Sequence, residues 1–237
     1  MNVSYDLHIH SALSPCGDND MTPNNIVNMA YVKGLDVIAI TDHNSMLNLI
    51  PTAEVAKRKG ILIVPGIEVT TREEVHVLCY FPTINEGMSF QDIIFNSLPN
   101  VKNNEDIFGQ QLILDHEDNI SGKVERMLLS SSGFTIEEIF QLVKEHNGVL
   151  VPAHIDRKSF SIVSTLGFIP NTIDIKTIEV FDLNVLENMK NTLSLEKYKI
   201  IKNSDAHYLV DINEAYYYFN LNSFTAKSVV EHLKGSG

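Results

Sequence analysis

The chain reads as an α/β fold on a mainly parallel sheet or barrel, because short apolar runs bounded by turn residues alternate with stretches of helical spacing. Val37-Ile38-Ala39-Ile40 and Ile61-Leu62-Ile63-Val64 are continuous apolar runs without polar alternation, the pattern of strands covered on both faces. A third observation is where the polar ligand-type residues fall, which is at the ends of such runs.

Val3 to His8 is expected as the first strand, followed by a polar loop with Pro15, Gly17 and Asp18. Thr22-Pro23 supplies an N-cap and a proline at the first helical position. Ile26, Met29, Ala30 and Lys33 then recur at helical spacing to a stop at Gly34. After the strand at Val37–Ile40, a helix from about Leu47 to Lys59 leads into the strand at Ile61–Val64, which ends at Pro65-Gly66. Glu74 to Phe81 reads as another strand, and a helix from about Ile136 to His146 passes through Gly148 into Val149-Leu150-Val151. Later strands are expected at Thr177–Phe181 and Lys199–Lys202. Residues 82–132 show no such rhythm and read as an insertion or small cap within a single domain of residues 1–237.

A length of 237 residues suits one sizeable core. No basic patch leads into an apolar stretch at the start, and no segment approaches the length of a membrane span, so a cytoplasmic protein without membrane contact is expected. Two cysteines, Cys16 and Cys79, are too few for a disulfide framework. The closing Gly235-Ser236-Gly237 has the composition of an appended tail. A net charge of −12 repels polyanions and argues against a long duplex as partner. Nine histidines beside surplus carboxylates point instead to bound cations.

Five groups of candidate ligands stand at or just after expected strand ends: His8 with His10, Asp42 with His43, Glu68, His154, and Asp205 with His207. The carboxyl ends of parallel strands share one face, so residues distant in sequence converge there. His76 joins them from within a strand. On an extended strand, positions two apart face the same way, which lets His8 and His10 reach one ion. Taken singly, His-x-His is commonly a surface pair, Asp42 a helix N-cap, Glu68 a solvated loop charge and His76 a core histidine. Their recurrence at corresponding positions carries the reading.

Asp6-Leu7-His8-Ile9-His10-Ser11, Ile40-Thr41-Asp42-His43, Pro65-Gly66-Ile67-Glu68-Val69, Val75-His76-Val77-Leu78, Pro152-Ala153-His154 and Ser204-Asp205-Ala206-His207 occur in this order. Together they resemble the motifs of the polymerase and histidinol phosphatase (PHP) family. The resemblance implies a distorted (β/α)7 TIM-like barrel holding two or three divalent ions, manganese, zinc or iron. It implies a first site of His8, His10, Glu68 and Asp205, with Glu68 bridging to a second ion on His76 and His154, and a third ion on His43 and His207. Many family members place a further Asp or His ligand shortly after the first motif. Cys16 takes that place here by spacing, where a thiolate favours zinc and Asp18 would suit manganese; an uninvolved loop thiol is equally compatible.

The implied activity is hydrolysis of a phosphomonoester, a nucleotide or a short oligonucleotide end by metal-activated water, with Glu68, Asp42 and His207 as catalytic candidates. Asp42 or His207 would orient the water or deliver a proton. Arg72 and Arg157 closely follow Glu68 and His154 and are candidates for gripping a substrate phosphate, although both also suit surface positions. The alternatives are a histidinol-phosphatase-like monoesterase, a metal-binding domain without catalysis, and an amidohydrolase. The last commonly bridges its ions with a carboxylated lysine, where this chain offers Glu68.

Overall fold

The computed structural model describes residues 1–190 and 193–235, so Ser236 and Gly237 of the closing tail lie outside the described residues. β1 (Asn2–Ile9) leads to α1 (Pro23–Val32) through a loop that is buried over residues 10–15 and open to solvent over residues 16–20. The Thr22 side chain accepts from the Asn25 N–H, Pro23 opens the helix, and Gly34 at φ +74° lets the chain turn back. β2 (Val37–Ile40), α2 (Leu49–Lys59), β3 (Leu62–Ile63), β4 (Gly66–Thr70) and β5 (His76–Tyr80) follow. Then come α3 (Ile84–Ser97), α4 (Glu105–Phe108), β6 (Leu112–Leu114), β7 (Ile120–Lys123), α5 (Ile136–Glu145), β8 (Val149–Pro152) and α6 (Ile162–Leu166). The chain continues with β9 (Thr177–Val180), α7 (Leu183–Lys190), β10 (Lys199–Lys202), β11 (Tyr218–Asn220) and α8 (Ala226–Leu233).

The architecture is α/β, in small sheets that are not closed by continuous ladders. One sheet runs β11-β1-β2-β3, a second β4-β5-β8, a third β10-β9, and β6-β7 form a separate hairpin. Single bridges join these pieces: Ile9 to Ala206 and His43 to Glu68, both parallel. The Ile155 N–H also donates to the Glu179 carbonyl at 3.0 Å.

Parallel pairing holds for β1-β2-β3 and for β9-β10, but β4-β5-β8 is antiparallel. The reason is local: only Thr71–Val75 separates β4 from β5, and a connection that short returns the chain antiparallel. An apolar run shows that a strand is buried without showing its direction. Residues 82–132 hold more regular structure than their composition suggests. Thr83 caps α3, whose buried Gly87, Phe90, Gln91 and Ile94 repeat at helical spacing.

Two apolar layers flank the sheets. Ile67, Val69, Val77 and Cys79 pack with Phe81, Phe90, Ile139 and Val143 in one; Leu78 and Tyr80 pack with Leu7, Val37, Ala39 and Val151 in the other. The alternation along β4 and β5 is the period of two expected of strands buried on both faces. Among the described residues no helix is long and apolar enough to cross a membrane.

Candidate metal centre

β1 carries an extra residue relative to β2 between Asp6 and Ile9, a bulge that falls beside His8. Bulges re-aim side chains, and here the two imidazoles that follow converge, with His8 Nε2 3.2 Å from His10 Nε2. Both rings are fully buried. Glu68 enters from β4, its strand start tied to the preceding motif by Glu68 N–H to the Asp42 carbonyl and Asn44 N–H to the Glu68 carbonyl. His154 and Asp205 follow β8 and β10 and hold left-handed backbone at φ +29° and +52°, a strained conformation for residues with a side chain.

The carboxylates sit where the imidazoles meet. Glu68 Oε1 lies 2.9 Å from His76 Nδ1, 3.3 Å from His154 Nε2 and 3.5 Å from His8 Nε2; its Oε2 lies 3.0 Å from His43 Nδ1 and 3.3 Å from His10 Nε2. Asp205 Oδ1 is 3.2 Å from both His8 Nε2 and His10 Nε2, and 3.8 Å from His207 Nδ1. Donors held on one ion by bonds of about 2.1 Å are roughly 3.0–3.4 Å apart, so most of these separations suit groups that could share a cation.

Hydrogen bonding sets the faces of the rings. The Ser14 hydroxyl donates to Asp42, so it accepts from the Nδ1–H of His10 and from the His43 backbone N–H. His10 Nε2 is left with a lone pair. His8 Nδ1 lies 3.0 Å from both oxygens of Glu179 and donates there, which frees its Nε2 in the same way. His207 Nδ1 donates to the Asp205 carbonyl. Lone pairs and carboxylate oxygens therefore face one another. Glu68 Oε2, His43 Nδ1 and His154 Nδ1 are buried without a hydrogen-bond partner. Cations satisfy this arrangement where protons cannot satisfy all of it.

The electrostatics show the pull of the buried carboxylates for positive charge, which at His8 favours a proton. Burial pushes Glu68 up, but His76, His8 and His43 outweigh it and hold the carboxyl well below its ordinary range. Asp205 is likewise held down, against burial, by His8 and His10. His8 is held well above its ordinary value: burial opposes the charge, and Glu179, Asp205 and Glu68 together overcome it. His43 is pushed down by burial. Burial and then His10 bring His207 down to about 4, so it is neutral at pH 7.

Donor atoms of His8, His10 and Glu68 group together, as do those of His43, Glu68 and His76, and those of His10, Cys16, His43 and His207. Asp42 is close by but faces away from them. Its carboxylate, pushed up by burial, accepts from Ser11 N–H at 2.7 Å, Ser11 Oγ at 2.6 Å and Ser14 Oγ at 2.7 Å. Arg157 reaches the centre, with Nη1 2.7 Å from Asp205 Oδ2. Arg72 does not: it is exposed, bonded to the Gly133 carbonyl and 3.4 Å from Glu138.

Glu179 and Ser14 escaped the sequence reading. Glu179 is buried in β9 and also accepts from His154 N–H at 2.8 Å and Asn203 Nδ2 at 2.7 Å. A carboxylate inside Ile178-Glu179-Val180 was the available signal, since an acid rarely enters a covered strand without a partner. Glu179→Gln turns an amide donor toward donors already there. It is expected to weaken metal binding about 10- to 100-fold with the fold retained. Competition with a metal-indicator dye checks this, and an unchanged affinity would contradict the role.

A cavity of about 90 Å³ opens onto the centre, lined by His43, Glu68, His76, His154, Arg157, Phe160, Asp205 and His207 among others. Beside it lies a wider cleft of about 490 Å³ that shares Arg157, Asp205 and His207 and adds Phe181, Lys202 and Tyr208.

Among known proteins, the chain is 33% identical over 81 residues to the 5′-3′ exoribonuclease of Haemophilus influenzae, covering 33% of this chain and 28% of that protein. It is 34% identical over 79 residues to the 3′,5′-nucleoside bisphosphate phosphatase of Chromobacterium violaceum, covering 32% and 27%. The matched segments thus span under a third of these relatives. In fold it resembles endonuclease Q of Pyrococcus furiosus, with a TM-score of 0.67 at 21% identity over 100% of this chain and 57% of that one. Endonuclease Q has also been solved with a 27-mer duplex substrate carrying an abasic lesion, and there the TM-score is 0.65. The family model of the PHP domain matches residues 6–157, the stretch that brings in His8, His10, His43, Glu68, His76 and His154, and the chain belongs to that family.

Proposed function

We propose that the protein is a metal-dependent phosphoesterase that hydrolyses a phosphomonoester, a nucleotide or the end of a short oligonucleotide. The carrying observation is the convergence of five imidazoles on the buried carboxylate of Glu68, with Asp205 opposite. Two or three divalent ions, manganese, zinc or iron, would supply the chemistry, acidifying water and neutralising charge on a phosphoryl group. His8, His10, Glu68 and Asp205 would hold one ion, Glu68 with His76 and His154 a second, and His43 and His207 a third.

The remaining residues position and select. Ser14 and Asp42 fix the ring of His10, so Asp42 acts through His10 rather than on substrate. A neutral His207 enters as a ligand and not as an acid. Seven strands, β1, β2, β4, β5, β8, β9 and β10, surround the site as a distorted (β/α)7 barrel, a reading supported by the bridges Ile9–Ala206 and His43–Glu68. Within a single domain, residues 82–132 serve as a cap. Their support is that the Asn44 side chain donates to the Leu128 and Ser130 carbonyls and Leu112 N–H donates to Ala12, bracing two ligand-bearing loops.

Arg157 lies over the Phe181 ring at 4.2 Å and borders both the cavity and the cleft, so it is placed to grip a phosphate oxygen as the substrate body extends past Phe181. Net charge favours small or short substrates, and because endonuclease Q, similar in fold, has been solved with a duplex, a duplex belongs among the substrates to be tested. Arg157→Ala is expected to raise KM about tenfold or more, in line with about 1.5–3 kcal/mol for a charged hydrogen bond, with metal content unchanged. A KM that does not move would remove Arg157 from substrate binding.

The test of the whole reading is metal analysis of the purified chain, followed by hydrolysis assays on monoesters, nucleoside bisphosphates, short oligonucleotides and a duplex with added manganese, zinc or iron. Turnover of one of these is expected. Bound metal with no turnover of any would favour a binding domain without catalysis.

A further inference from the structure

We propose that Asp6 is a positioning residue of this centre: its carboxylate holds both ends of the segment 204–213 and so fixes Asp205 opposite the imidazoles of β1. This role presupposes the metal centre, although the hold on the backbone can be measured without metal. Asp6 stands in the first motif of the sequence yet takes no part in the groups of candidate ligands. It is fully buried, and among the described residues no Lys, Arg or His pairs with it. A carboxylate so placed depends on the hydrogen-bond donors that meet it.

Those donors are backbone N–H groups from a distant stretch of chain. Ser204 N–H donates to Asp6 Oδ1 at 3.0 Å, and Asn213 N–H donates to Asp6 Oδ2 at 2.9 Å. The His8 N–H, 3.5 Å from Oδ1, is too far to add much. One carboxylate thus closes the segment 204–213 and ties it to β1 just before His8. The segment carries Asp205, His207 and Tyr208, and it forms a wall of the cleft beside the centre. Two acceptor oxygens are required, one for each end. An asparagine at this position would offer a single acceptor and turn its own amide donor toward the second N–H.

Asp205 needs such a hold. Its backbone sits at φ +52°, a conformation that persists only where the surroundings over-determine it. Asp6 fixes the chain before it through Ser204. After it, Ala206 N–H donates to the His8 carbonyl at 3.2 Å, and His10 N–H donates to the Ala206 carbonyl at 2.9 Å. Both flanks of Asp205 are therefore tied to the strand of His8 and His10, and its Oδ1 comes to rest 3.2 Å from each Nε2. Glu179 aims a ring, whereas Asp6 aims the turn that brings in the opposing carboxylate.

Asp6→Asn is compared with Tyr80→Phe, which removes another buried bond to β1, from the Tyr80 hydroxyl to the Leu7 carbonyl at 2.8 Å. Both variants are expected to melt below the native chain. Zinc titration against an indicator dye separates them. In Asp6→Asn the ion at Asp205 is expected to bind about 10- to 100-fold more weakly, while an ion on Glu68, His76 and His154 keeps its native affinity. Tyr80→Phe is expected to titrate like the native chain. An Asp6→Asn chain that melts lower but titrates like Tyr80→Phe overturns the proposal. Amide hydrogen exchange on the metal-free native chain gives a second reading that needs no variant to fold. Ser204 and Asn213 N–H are expected to be protected, and exchange of either at the rate of an open loop overturns the proposal. A native chain that takes up no metal removes the metal centre and this role together, whereas native uptake with an unaltered Asp6→Asn isotherm removes this role alone.

Discussion

A chain carrying His8→Ala and His10→Ala together is expected to lose its bound metal and all measurable hydrolysis while keeping its secondary structure. The two Nε2 atoms lie 3.2 Å apart, and each is 3.2 Å from Asp205 Oδ1. Removing both empties the one place where β1 and the turn after β10 share a ligand point. The backbone there does not depend on the rings: His10 N–H donates to the Ala206 carbonyl at 2.9 Å, and Ala206 N–H to the His8 carbonyl at 3.2 Å. Stability is nonetheless expected to fall. Glu179 is buried and loses the His8 Nδ1 donor, which leaves part of a charge unpaired and costs about 1–3 kcal/mol. Elemental analysis, far-ultraviolet circular dichroism and thermal melting read these outcomes. Metal at native stoichiometry together with native turnover would dismantle the proposed centre.

Glu68→Gln is the sharper test because it changes charge and hardly changes shape. Four of the imidazoles nearest Glu68 come from different stretches of chain, and the carboxylate is ionised because His76, His8 and His43 overcome its burial. An amide keeps the volume but removes the negative charge and one acceptor oxygen, so it cannot bridge two ions. At least one ion per chain is expected to be lost. A loss of about 4 kcal/mol of transition-state stabilisation corresponds to a rate lower by roughly a thousandfold. The β4 backbone bonds to Asp42 and Asn44 remain, so folding should be preserved. Native metal content in Glu68→Gln would show that Glu68 is a bystander to ions held elsewhere.

The candidate ligands were legible because their pattern is local. His8-x-His10 and Asp205-x-His207 each follow an apolar run, and strand geometry alone places alternate residues on one side. The cap at Thr22-Pro23 was legible for the same reason. Where a function depended on a partner distant in sequence, the reading stopped. Glu179 orients His8 across 171 residues, and Ser14, bonded to His10, reaches Asp42 across 28. Arg72 and Arg157 look alike in sequence, each a few residues past a ligand, yet one pairs with Glu138 at the surface and the other with Asp205 at the centre.

By itself, then, the sequence determined the α/β alternation, the candidate ligands and the strand ends at which they stand, since each of these is set within a few neighbouring residues. Tertiary structure decided the rest. It paired β8 antiparallel with β5 across residues 81–148, and it turned Asp42 toward two serines and away from the candidate ligand cluster. It also brought Cys16 to three histidines. These outcomes depend on which distant groups satisfy one another once buried, and that pairing is settled only when the whole chain has packed.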